Sequence, residues 1–156
     1  MPMLNWLNKL SRHEGGNAVV EFALILPFML LLFSGLTEIG RAYFQANAVE
    51  KGLRAAALYA SRAPTPLSAA DQVITENILR TGTSDGAGPV LVSGWAKPGA
   101  SVTITSTNYD LSGVNVPVVR VDASVPLDPL VPELLTLVGL NTFTIDLSHE
   151  QAYVGQ

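Results

Sequence analysis

Residues 18–36 read AVVEFALILPFMLLLFSGL, a run whose only hydrogen-bonding side chains are Glu21 and Ser34. At 1.5 Å per residue, about 19 such residues form a helix of roughly 28 Å, enough to cross the hydrocarbon core of a bilayer. Lys9, Arg12 and His13 precede the run against the single acid Glu14, and no basic residue lies inside it. The positive-inside rule then predicts a cytoplasmic N-terminus and a C-terminal body on the far side of the membrane. Composition agrees: 48% of the residues are apolar, only 14% are charged, and the mean hydropathy is +0.33.

Three readings of this segment compete. A conventional secretory signal has a shorter apolar core and a small-residue cleavage site just after it. Here the nearest A-x-A pattern, Ala46-Asn47-Ala48, falls well beyond the apolar run and inside a helical pattern. An uncleaved signal anchor explains the hydropathy and leaves Glu21 without a purpose. A carboxylate inside a spanning helix costs about 2.5–3.5 kcal/mol on insertion scales, so it normally has a partner. If the chain were cut at the Gly16-Asn17 bond, the new α-amino group of an adjacent subunit would match that acid. A subunit docked out of register would bury the charge unpaired and be rejected.

The stretch Gly16-Asn17-Ala18-Val19-Val20-Glu21-Phe22, followed by ALILPFMLLLFSGLTEIGRAYF and then AVEKGLRAAALYASR, resembles the type IV prepilin signature. More closely it is similar to the TadE-like minor pilins, or pseudopilins, of tight-adherence (Flp) pilus systems, and the resemblance covers about residues 11–62. It implies cleavage after Gly16 by a prepilin peptidase, with Asn17 as the mature N-terminus. It makes Glu21, with Phe22 beside it, the assembly position, and Pro27 the family's early proline; by its missing N–H Pro27 reads either as a helix kink or as a proline tolerated in a membrane helix. Classical type IV pilins begin with Phe, and this chain departs from them in having Asn17. The implied partners are the peptidase, other pilin or minor pilin subunits and an inner-membrane pilus assembly platform. The implied place is the inner membrane, in a single pass, with possible passage into a surface pilus that serves adhesion.

Three regions follow: a leader over 1–16, a long helix over 17–62 with its membrane part near 18–37, and a small extracytoplasmic domain over 63–156. Apolar residues Ile39, Tyr43, Ala46, Leu53, Ala57 and Ala60 recur at helical spacing beyond the membrane part and predict a stripe that lies on the body. Pro64 and Pro66 end the helix near Arg62. SAADQVITENILRT, residues 68–81, predicts a short helix with Ser68 as N-cap and Gly82 as the stop. β-branched stretches at Val90–Trp95, Val102–Thr107, Val116–Val125 and Thr142–Val154 predict a small antiparallel sheet. Its clearest pair is Val116–Val125 with Thr142–Val154, with a short helix over Pro132–Val138 between them. The expected fold is α+β, with the sheet layered on the outer half of the long helix.

Little in the chain points to chemistry. There is no cysteine, hence no thiolate nucleophile or Cys-based metal site. The formal charge of −4, with no basic block interleaved with aromatics, argues against nucleic acid as a partner. His13 and His149 are expected on opposite sides of the membrane and cannot act together. Asp122, Asp128, Glu133 and Asp146 lack a calcium-loop pattern, and the serines lack a nucleophile-elbow context. Ser93-Gly94-Trp95 reads as a strand end with a packed aromatic. No catalytic site, metal, cofactor or small-molecule substrate is expected. The alternative to a pilin-like subunit is an uncleaved, signal-anchored extracytoplasmic binding domain.

Overall fold

The computed structural model describes residues 14–137, 139 and 143–154. Most of the expected leader, His13 included, lies outside the described residues, as do Val138 and Thr142. The chain divides into two compact units, the first ending at Glu38 and the second beginning at Ile39. Helix α1, Glu14–Ala60, contributes to both and contains Pro27 without interruption. It begins earlier than the expected leader boundary and ends two residues short of Arg62. There Ser61 and Arg62 donate to the carbonyls of Ala57 and Tyr59 at 2.8 and 3.0 Å, an unwinding turn that leads towards Pro64.

In the first unit the apolar side chains of α1 are exposed on every side; Val20, Phe22, Leu24, Phe28, Leu32 and Phe33 are examples. A helix that is apolar all round is built for a nonaqueous surround. Taking about 1.5–3 kcal/mol for each large apolar side chain removed from water, ten of them amount to about 15–30 kcal/mol. That exceeds the roughly 5–15 kcal/mol that holds an ordinary domain together. This is one N-terminal helix long and apolar enough to cross a membrane.

The second unit has its own core. From α1 it takes Val49, Leu53, Ala56, Ala57 and Ala60, a three- and four-residue repeat of mostly small side chains. Small residues let the next helix come close. At Gly52 an added Cβ would lie 2.7 Å from the main-chain carbonyl oxygen of Leu79 in α2, Ala69–Thr81. Helix α2 starts and stops as its sequence predicts. The Ser68 side chain accepts the Asp71 N–H at 3.1 Å, and Gly82, with φ of 77°, donates to the carbonyl of Ile78 at 2.9 Å. The expected stripe on α1 is right only from its middle outward, because Ile39 and Tyr43 are each 68% exposed.

Three antiparallel strands follow in the order β1-β2-β3: β1 Ser101–Leu111, β2 Val114–Pro126 and β3 Thr144–Ala152. The β1–β2 hairpin turns on Ser112-Gly113, both with positive φ (55° and 88°), which is the type I′ geometry that matches strand twist. Strand β2 alternates: Val119, Val121, Ala123 and Val125 face the core, and Arg120 faces out. The expected pairing of the 116–125 and 142–154 stretches is present, from Val118↔Ala152 to Pro126↔Thr144. The connection between them carries the short helix α3, Pro132–Leu137. Pro117 lies in the middle strand where β3 ends: its carbonyl accepts the Tyr153 N–H at 2.9 Å just past β3, so its missing N–H falls at the end of that ladder. Val154 then donates to the carbonyl of Ser61 at 3.0 Å and ties the end of β3 to the turn after α1.

The stretch Val90–Trp95 is not a strand. The Leu91 N–H is taken by the carbonyl of Arg80 at 2.7 Å, and Ser93–Ala96 forms a 3-10 turn. Two contacts hold it there. An added Cβ at Gly94 would lie 2.2 Å from the carbonyl oxygen of Pro126, so the turn is pressed directly on the end of β2. Trp95 is buried, with the Arg80 guanidinium 5.2 Å from its ring centroid. The packed aromatic is as expected; the extended backbone is not, because β-branched composition does not distinguish a strand from a loop that fills the edge of a core.

Candidate assembly helix

Gly16, Asn17, Glu21, Phe22 and Pro27 all lie on α1 in the first unit. The helix runs through the Gly16-Asn17 bond, and both residues are exposed. Nothing lies within 4 Å of a Cβ placed on Gly16. Asn17 and Glu21 are four residues apart and therefore share one helix face, one turn from each other. Glu21 is exposed, and among the described residues no ion pair involves it. Phe22, the next residue along the helix, is 63% exposed. Pro27 removes the N–H that would bond the carbonyl of Ala23.

The acids weighed as a group in the sequence are scattered. Asp122 accepts from Arg120 at 2.9 Å and Asp146 from Ser124 at 2.6 Å, both on the solvent face of the sheet. Glu133 opens α3. Asp128 is different. Its carboxylate pairs with Lys97 and accepts from Ser93 at 2.7 Å, while its main-chain carbonyl accepts from Arg41 at 3.1 Å and Gln45 at 3.4 Å. Lys97 chiefly, then Ser93, hold its carboxyl below the usual carboxylate range. One residue thus joins α1 at its entry into the second unit to the turn before β1 and the segment after β2. Sequence reading placed Asp128 among possible calcium ligands; nothing in spacing foretold a partner 87 positions away.

Two open depressions mark the second unit. One, about 290 Å³, lies along α1 between Arg41, Phe44, Ala48 and Leu91. The other, about 340 Å³, lies on the polar face of the sheet between Thr103, Asp122, Ser124, Asp146 and Ser148. On that face Arg120 links Asp122 and Glu150, the latter at 3.2 Å. His149, on β3, pairs in register with Val121 and is the only histidine among the described residues.

The family model described as TadE-like protein matches residues 16–58, from the glycine before the apolar run almost to the end of α1. No curated protein and no solved structure matches the chain.

Proposed function

We propose that this chain, TadE-like over residues 16–58, is a membrane-anchored structural component of a tight-adherence pilus, assembled through its N-terminal helix. The observation that carries the reading is an acid, Glu21, inside the run 18–36, whose one other hydrogen-bonding side chain is Ser34, on a helix long and apolar enough to cross a membrane. A prepilin peptidase hydrolyses the Gly16-Asn17 amide in the inner membrane. Water supplies the carboxylate left on Gly16 and the ammonium that appears on Asn17. The ammonium of one subunit then meets Glu21 of its neighbour, so that neither charge remains unpaired among apolar helices. Phe22 packs beside the pair, and Pro27 gives the helix a place to bend as it leaves lipid for a bundle. The second unit stays on the outer side of the membrane.

The test is the terminal mass of chain isolated from membranes of cells that hold an active prepilin peptidase. A mature N-terminus at Asn17 supports the proposal. An intact leader in those cells sinks it and leaves the signal-anchored binding domain as the better account.

A further inference from the structure

Among the described residues the sheet has two free edges, and they are unlike. β3 carries the carboxylates of Asp146 and Glu150, charges of the kind that keep an edge from pairing with another chain. In β1 the nine residues Ser101–Tyr109, SVTITSTNY, hold no charged residue, proline or glycine. Such an edge is an open template for another strand.

The register shows which groups it offers. In a two-residue hairpin the flanking pair, here Leu111↔Val114, exchanges main-chain hydrogen bonds, and bonded and non-bonded pairs alternate from there. The main-chain groups of Val102, Ile104, Ser106 and Asn108 therefore point away from β2. Pro117 agrees, since it pairs with Asn108 and turns its carbonyl the other way, to Tyr153. By the same alternation β3 points the main-chain groups of Thr144, Asp146, Ser148 and Glu150 outward from its own free edge.

We propose that the bare edge of β1 is an assembly edge that takes β3 of a second copy of this chain. The inference rests on the assembly reading above and adds a contact outside the helix. β1 and β3 run in the same direction within one sheet, because both are antiparallel to β2. A neighbour held in the same membrane and displaced sideways, without being turned over, thus presents β3 to β1 in parallel. Side-chain chemistry agrees: Thr103, Thr105 and Thr107 share the solvent face with Asp146 and Glu150, so hydroxyl donors of one copy meet carboxylates of the next. Pairing β3 with β3 would set acid against acid. A β1-to-β3 contact also leaves a free edge at each end, so it repeats, whereas like-with-like pairing closes at two.

The chain has no native cysteine, which makes the test direct. Thr105→Cys and Ser148→Cys chains, carrying different C-terminal tags and cut to Asn17 by a prepilin peptidase, are co-reconstituted in vesicles and treated with a short thiol cross-linker. The expected product is a mixed dimer in excess over either homodimer. Asn108→Pro in the Thr105→Cys chain removes an outward N–H and no bond to β2, so the mixed dimer should drop to background while thermal unfolding is unchanged. Homodimers of Thr105→Cys in place of the mixed species, or no cross-link at all, overturn the inference. Val20→Cys chains cross-link through the apolar helix: if they still do so, helix-driven assembly survives the loss of this contact, and if they do not, both readings fall.

Discussion

Arg41 of α1 donates to the main-chain carbonyl of Asp128 at 3.1 Å, across 87 positions of sequence. With Lys97 and Ser93 on the carboxylate of the same residue, the contact fixes where the helix meets the loops at one end of the sheet.

The Asp128 carboxyl has a folded-state pKa below its unfolded value. Its contribution is therefore complete above the unfolded value of about 4 and is lost as pH falls through the lower, folded value. Thermal unfolding of the wild type in detergent should exceed that of Asp128→Asn at pH 7, and the gap should close in acid. The group is about a third exposed, so solvent screening limits the difference to about 0.5–1 kcal/mol. An undiminished gap at pH 2 would contradict this account.

Gly94→Ala should destabilise the second unit by about 1–3 kcal/mol, since the new methyl meets a carbonyl that belongs to a paired strand. Gly40→Ala is the matched control. Nothing lies within 4 Å of its Cβ, and alanine in a helix is favoured over glycine by about 0.5–1 kcal/mol. Denaturation midpoints that move the same way for both would show that the close approach at Gly94 is wrong.

Leu53 is fully buried between α1 and the sheet, so Leu53→Ala should cost about 2–5 kcal/mol. Leu58 lies five residues on and is 43% exposed. Its alanine variant should stay within about 0.5 kcal/mol of wild type by the same unfolding measurement.

Glu21→Ala should insert into membranes at least as well as wild type, because it removes a cost of about 2.5–3.5 kcal/mol. It should nevertheless fail to enter pilus assemblies recovered by shearing or co-purification. Glu21→Gln separates charge from size, and assembly retained in both variants would end the proposed role of the carboxylate.

The first unit is legible in the sequence because its physics is local. Nineteen or so apolar residues with flanking charge define a span whatever the rest of the chain does, and Glu21 stands out against them without any neighbour. Helix α2 is legible for the same reason: Ser68 and Gly82 satisfy main-chain groups within four residues. Composition gives the pairing of β2 with β3 and not its register, and the glycine of the two-residue turn at Ser112-Gly113 is a local signal for the β1–β2 hairpin.

Sequence by itself determined the long apolar helix, the acid within it, the second helix and the three strands that pair, because each depends on residues a few positions apart. Tertiary structure alone decided that Val90–Trp95 is a packed turn, that Ile39 and Tyr43 stay outside the core, and that Asp128 joins α1 to the sheet. Those outcomes depend on which surfaces meet, through Gly94 against Pro126 and Arg41 against Asp128. No periodicity along the chain encodes a contact between segments that folding brings together from far apart.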